Sequence, residues 1–199
     1  MARTGVLGGS FNPIHYGHLL LADEVLEALA LDRILFVPAG VPPHKSPALL
    51  APAEDRHAMV ALVAAGHPRF EVSDIELRRA GPSYTVDTLE ALRIPRPDLS
   101  LLVGSETFLD LLSWREPRRI AELAQLVVVP RVGSAFDPDS AAARKVVHGI
   151  AQEPLIVRAT SLPISASDLR RRVREGRSLA FRLPDAVIGY IATRGLYRA

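Results

Sequence analysis

The stretch Gly8-Gly9-Ser10-Phe11-Asn12-Pro13-Ile14-His15-Tyr16-Gly17-His18 follows a short apolar run, Thr4 to Leu7, and leads into Leu19, Ala22, Leu26 and Leu29 at helical spacing. These are a strand, a glycine-rich turn and a helix. In a doubly wound sheet the junction of the first strand with the first helix is the natural phosphate site, because free N–H groups and the positive end of the helix dipole face the crevice there. Gly8 and Gly9 admit close approach of the backbone to a phosphate. Asn12-Pro13 is expected to cap the helix and open its first turn. His15 and His18, three apart, are expected on one helix face, and Gly17 removes a side chain that would block access. A Gly-Gly turn alone, or one histidine at a helix start, is more often structural than functional. The combination within eleven residues is hard to explain by packing. It is neither G-x-G-x-x-G nor a P-loop with Gly-Lys-Ser/Thr, which argues against a dinucleotide-binding dehydrogenase and a P-loop NTPase.

Working outward, further strands are expected at Arg33 to Val37, Phe70 to Val72, Leu99 to Val103, Leu126 to Val129 and Leu155 to Val157. They lack clean alternation, as strands covered on both faces do. Met59, Leu62 and Val63, then Val86, Leu89 and Leu92, mark helices between them. The alternation predicts an α/β fold: a Rossmann-like doubly wound parallel sheet with helices on both faces and a small C-terminal helical segment from about residue 161, in a single domain over 1–199. Pro38 to Pro52 holds five prolines and cannot be a regular element; residues 131–140 form a second loop. Near the C-terminus, Ser167 is expected to cap a helix running to about Glu175 before Gly176, and Pro184 to open another ending near Gly195.

Composition narrows the functional classes. The chain has 199 residues, 48% apolar and 23% charged, with no Cys, so it can have no disulfide, thiolate metal site or Cys nucleophile. A reducing, cytoplasmic setting is the expected compartment. The net charge of +2 does not point to a nucleic acid or membrane partner. Gly5 to Ala22 lacks Asp, Glu, Lys and Arg, but its four Gly, Asn-Pro pair and two His argue against a membrane span or signal sequence.

GGSFNPIHYGH resembles the N-terminal signature of the nucleotidylyltransferase superfamily, whose members share an HxGH motif on a Rossmann-like fold. The resemblance narrows to the bacterial nicotinate mononucleotide adenylyltransferases through Val41-Pro42-Pro43-His44-Lys45, Ser83-Tyr84-Thr85 with Thr88-Leu89, Val103-Gly104-Ser105-Glu106, Trp114, Val129-Pro130-Arg131, Ile164-Ser165-Ala166-Ser167 with Arg170, and Gly195-Leu196-Tyr197-Arg198. These segments occur in the family's order over essentially the whole length.

The resemblance implies transfer of the adenylyl group of ATP to nicotinate mononucleotide, giving deamido-NAD and pyrophosphate. It assigns His15 and His18 to the ATP phosphates as the catalytic pair. Gly8, Gly9, Ser10, Phe11, Ile164, Ser165, Ser167 and Arg170 are assigned to ATP, and His44, Lys45, Thr85, Gly104, Glu106, Trp114 and Arg131 to the mononucleotide. Without the resemblance, the run Arg170 to Arg172 with Arg174 reads as a solvated helix face and Trp114 as core, while Lys45, in a proline-rich loop with no acid nearby, reads equally as an anion contact or as an exposed loop lysine. Two positions depart from the family: Glu106 stands where Asp is usual and Ser167 where Thr is usual. Mg²⁺ is expected to arrive with ATP, since no carboxylate cluster suggests a protein-held metal site, and no organic cofactor is implied. A homo-oligomer is compatible with this reading.

Two rivals differ in testable ways. A sister transferase acting on nicotinamide mononucleotide, phosphopantetheine or a CTP-dependent substrate would use the same motif, but the pantetheine enzymes usually carry Thr at the place of His15 and are shorter. An RNA-binding module related to class I synthetases would need a KMSKS-like segment and aromatics among the arginines, and neither is evident.

Overall fold

The computed structural model describes residues 2–43, 50–130 and 134–198. The apolar runs form β1 (Thr4–Gly9), β2 (Arg33–Pro38), β3 (Phe70–Val72), β4 (Leu99–Gly104), β5 (Gln125–Val129) and β6 (Leu155–Ile156). The helices are α1 (Tyr16–Ala28), α2 (Ala53–Ala64), α3 (Thr85–Leu92), α4 (Ser105–Leu109), α5 (Pro117–Leu123), α6 (Ala141–Ile150), α7 (Ala166–Arg174) and α8 (Asp185–Arg194). All pairs in the sheet are parallel and the order is β3-β2-β1-β4-β5-β6. The expected doubly wound sheet is therefore the fold that forms.

Alternation along the strands divides the core into two layers. Leu7, Ile34, Phe36, Leu102 and Val127 pack with Ala22, Val25 and Leu26 of α1, Met59 and Val60 of α2, Leu169 of α7, and Val187 and Ile191 of α8. Val6, Leu35, Val37, Leu101 and Val128 pack with Val86 and Leu89 of α3, Phe108 of α4, Ile120 of α5, and Val146 and Ile150 of α6. Each of the four central strands, β2, β1, β4 and β5, thus buries side chains on both faces, which is why these runs read as continuous rather than alternating. A fully buried leucine or valine contributes about 1.5–3 kcal/mol, so the two layers supply the main driving force.

Several local expectations are corrected. β1 extends two residues past Leu7, so Gly8 and Gly9 end the strand, paired in register with Val37 and Pro38. Asn12 does not cap α1. The N-cap is His15, with extended backbone at φ −152° and ψ 168°, while Asn12 Oδ1 accepts the Ala51 N–H at 3.0 Å and ties two loops together. Pro38 is the last residue of β2 rather than loop. Leu62 is 42% exposed because the inward face of α2 runs through Arg56, Met59, Val60 and Ala64 instead. β6 is an edge strand of two residues, and both of them are exposed.

At the C-terminal segment, Ser165 and not Ser167 caps α7, its Oγ accepting the Asp168 N–H at 3.2 Å. Pro184 precedes α8 as its N-cap, and Gly195 ends that helix at φ 64°. The side chain that receives the first-turn N–H sets the expected asymmetry. Ser165→Ala should destabilise the protein by about 1 kcal/mol, lowering Tm by roughly 2–4 °C. Ser167→Ala should leave Tm within about 1 °C on the same scale; thermal unfolding of the two variants side by side checks this.

Candidate active site

The chain order reverses between β1 and β4, and at their C-terminal ends the sheet opens a cavity of about 550 Å³. That place and size suit a small ligand. Gly8, Gly9 and Ser10 form one side of its wall, Gly104 and Thr107 another, and Tyr84, Thr85 and Thr88 at the start of α3 a third. A Cβ on Gly8 would meet nothing within 4 Å, so no packing demand explains that glycine and its backbone lies open to the cavity. A Cβ on Gly9 would touch the Phe11 ring at 3.3 Å.

The far wall is aromatic and cationic. Trp114 lines the cavity with one part of its surface and packs against the second core layer with another. Arg115 lies over the Tyr84 ring, 4.9 Å from its centroid, and 3.7 Å from the Asp87 carboxylate. Tyr84 is the N-cap of α3 but gives no side-chain cap bond, so the first-turn N–H groups beginning at Thr85 sit at the wall without that partner.

Beside the cavity the loop after β1 brings the two histidines together. His15 is 7% exposed, and its ring stacks on His18 with centroids 3.8 Å apart and planes tilted by 30°. The His15 backbone N–H donates to His18 Nδ1 at 3.3 Å. An acceptor Nδ1 puts the proton of neutral His18 on Nε2, so the outer ring nitrogen is a donor. Phe11 is buried and presents its ring edgewise to His18 at 5.2 Å. A Cβ on Gly17 would lie 3.1 Å from the His15 ring. Gly17 is therefore needed first to seat His15, and the expectation that it clears a path for ligand is refined accordingly.

The C-terminal helices close on the same loop. Arg170 on α7 donates from Nη1 to the Asn12 carbonyl at 2.8 Å and from Nη2 to Ser167 Oγ at 3.3 Å. The Tyr16 N–H donates to the Arg182 carbonyl at 3.2 Å. Arg170 of α7 and the segment that precedes α8 thus meet the start of α1 around residues 12–16, giving a turn rich in N–H, imidazole and guanidinium donors where an anion would be favoured.

A sequence profile of the cytidylyltransferase-like family matches residues 6–172. Proteins named probable nicotinate-nucleotide adenylyltransferase from Roseiflexus sp. and Thermus thermophilus are 46% and 48% identical to the chain. The alignments cover 99% of this chain and 98% of the first relative, and 98% of this chain and 100% of the second. The chain belongs to the nicotinate-nucleotide adenylyltransferase family. Among solved structures, nicotinic acid mononucleotide adenylyltransferase of Plasmodium falciparum, complexed with NaAD, superposes with a TM-score of 0.79 at 19% identity, over 99% of this chain and 98% of that one. At that identity the superposition speaks for the shared fold.

Of the residues singled out from the sequence, Gly8, Gly9, Ser10, Thr85, Gly104 and Trp114 meet in the cavity wall. His15, His18, Phe11, Ser167 and Arg170 gather at the neighbouring turn, with Phe11 behind the histidines rather than open to ligand, while Ser165 is the exposed N-cap of α7. Ile164 is partly buried against the first core layer. Glu106 is an exposed residue in the first turn of α4 and not part of the cavity wall, its Oε2 3.4 Å from Ser105 Oγ. His44, Lys45 and Arg131 lie outside the described residues.

Of three buried charges among the described residues that the sequence does not reveal, Asp55, Arg56 and Glu76, the last two adjoin the site. Arg56, 1% exposed, donates to the carbonyls of Ala51 at 3.0 Å, Ser10 at 2.9 Å and Gly40 at 3.0 Å. Burial pulls its pKa down, with Tyr197, Glu54 and Glu76 opposing. Glu76 lines the cavity and is 8% exposed. Burial pushes its carboxyl pKa up, against hydrogen bonds from the Thr88 and Ser83 hydroxyls, the charge of Arg79 and the Gly40 N–H. In the sequence both residues read as ordinary surface charges of α2 and of the segment before α3. The one available signal is that Arg56 shares the helical spacing of Met59, Val60 and Val63.

The tight seat of the His15 ring has a direct consequence. Gly17→Ala should leave the fold intact, push the His15 ring aside by a few tenths of an ångström and reduce kcat by up to about tenfold, less than the roughly 100-fold expected of a full 1 Å misplacement. Steady-state turnover together with far-ultraviolet circular dichroism checks it.

Proposed function

We propose that the chain joins the adenylyl group of ATP to nicotinate mononucleotide, releasing pyrophosphate and giving deamido-NAD, as a cytoplasmic enzyme of NAD biosynthesis. The observation that carries this reading is the stacked His15–His18 pair meeting Arg170 at one turn, next to a cavity walled by Trp114 and the start of α3. Chemically, an oxygen of the mononucleotide phosphate attacks the α-phosphorus of ATP in line. The new P–O bond forms as the bond to the bridging oxygen breaks, and that oxygen leaves with pyrophosphate.

The protein's work is alignment and charge compensation, since both reactants are polyanions. His18 donates from Nε2 to the phosphate oxygens, and the first-turn N–H groups of α1 add to the same field. Ser167 and Arg170 hold the outer phosphates, where negative charge accumulates as pyrophosphate departs. The acceptor's ring stacks on Trp114, and its carboxylate takes N–H donors from the first turn of α3. ATP enters as its Mg²⁺ complex, which offsets part of the triphosphate charge.

His18→Ala should fold normally and lose at least about 100-fold in turnover, roughly 3 kcal/mol of transition-state stabilisation. Pyrophosphate release, measured with MgATP and one acceptor at a time, tests the substrate. Nicotinate mononucleotide is expected to give the highest kcat/KM; release only with nicotinamide mononucleotide or phosphopantetheine would overturn the acceptor, and release with none would overturn the reaction.

A further inference from the structure

Arg56 and Glu76 approach the same short piece of backbone from opposite sides. The Gly40 carbonyl accepts from Arg56 Nη2 at 3.0 Å, while the Gly40 N–H donates to the Glu76 carboxylate. A Cβ on Gly40 would stand 2.5 Å from the Glu76 carbonyl oxygen, so only glycine fits the joint. One residue further, the Val41 N–H donates to Ser83 Oγ at 3.1 Å and the Ser83 N–H donates to the Val41 carbonyl at 2.8 Å.

Each charge also grips an element of the site. Arg56 Nη1 holds the Ser10 carbonyl, at the edge of the turn that carries the histidines. Glu76 accepts from Thr88 Oγ1 at 2.7 Å, in the first turns of the helix that begins at Thr85. A continuous chain of contacts therefore runs from Ser10 through Arg56, Gly40 and Glu76 to Thr88. Burying two charges is a poor way to gain stability, because desolvation cancels most of the attraction, but directional bonds to fixed backbone groups do define geometry.

We propose that Arg56 and Glu76 are positioning residues that act together through Gly40, setting the spacing between the Ser10 turn and the Tyr84–Thr85 wall. The inference rests on the reading of those two regions as the ATP and acceptor sites. In-line transfer between two separately held phosphates depends on that spacing, and an error of about 1 Å costs on the order of 100-fold in rate. A joint of this kind should influence kcat more than either substrate's binding.

The test is a double-mutant cycle in the whole protein with Arg56→Lys and Glu76→Gln, following kcat, both KM values and Tm. Lysine keeps the charge but cannot reach the three carbonyls held by the guanidinium. Each single variant should lose at least about tenfold in kcat with both KM values within about threefold, and the double variant should lose no more than the worse single one. Losses that multiply, or a loss confined to KM, would overturn the proposal. Should Arg56→Lys not fold, the outcome rests on Glu76→Gln alone. A second measurement needs no turnover: backbone amide shifts of Glu76→Gln, which is close to isosteric. Changes at Ser10 and Phe11, across the joint, are expected; changes confined to residues 40–41 and 83–88 would overturn the proposal. Wild-type activity on nicotinate mononucleotide separately tests the reading on which the inference rests.

Discussion

β1 is hydrogen-bonded to a parallel neighbour on each side, β2 from Thr4 to Gly9 and β4 from Thr4 to Val6. Because the β1–β4 pairing stops three residues before the β1–β2 pairing does, the two strands part at their C-terminal ends. The helices that follow them then leave towards opposite faces of the sheet, α1 into one core layer and α4 into the other. The crevice between them has backbone for a floor and helix N-termini for a rim. Every functional feature of the molecule is placed with respect to that parting.

Among the described residues, the loops above the crevice contain little regular hydrogen bonding of their own, and side chains buried beneath hold them. Asn12, Arg56, Glu76 and Ser83 are each at most 9% exposed, and each is hydrogen-bonded to backbone of a different segment. Buried polar groups of this kind carry a desolvation cost that must be met by geometry, so their partners are fixed in place. The C-terminal helices extend the same principle. Arg170 takes the Asn12 carbonyl, and on the outer side Asp55 of α2 accepts from Tyr190 and Arg194 of α8 at 2.8 and 3.0 Å. The Tyr197 hydroxyl is buried near Arg170 and Arg56, and burial raises its pKa against their pull.

Much of the candidate site is legible in the sequence because its residue types are unusual in their setting. Two histidines three apart after a Gly-Gly pair have few packing explanations, and Trp114 is the only tryptophan in the chain. Arg56 and Glu76 are not legible, since an arginine beside an aspartate on an amphipathic helix is what a solvated surface also looks like. Gly17 stands out in the motif, but the neighbour that requires it does not: its missing Cβ makes room for the His15 ring, a relation visible only once the N-cap geometry is known. Asn12 and Ser167 are cap residues by type, yet Asn12 bonds Ala51 across the loop and the cap of α7 falls to Ser165 two positions earlier.

By itself the sequence determined the six strands, the helices α1, α2, α3, α7 and α8 that alternate with or follow them, the covering of the sheet on both faces and the glycine-rich first strand–helix junction, whereas α4, α5 and α6 emerge only in the fold. The former depend on local propensity, on periodicity and on residues close together in the chain. Only the tertiary structure decided which side chains cap which helix, that β6 is a short exposed edge, and that Arg56 and Glu76 meet at Gly40. Those outcomes depend on contacts between distant segments, 16 residues apart for Arg56 with Gly40 and 46 for Arg56 with Ser10. Whether a charged side chain faces water or a buried carbonyl is set by what the rest of the fold leaves beside it, and a local pattern such as the helical spacing of Arg56 with Met59 and Val60 gives the face but not the partner.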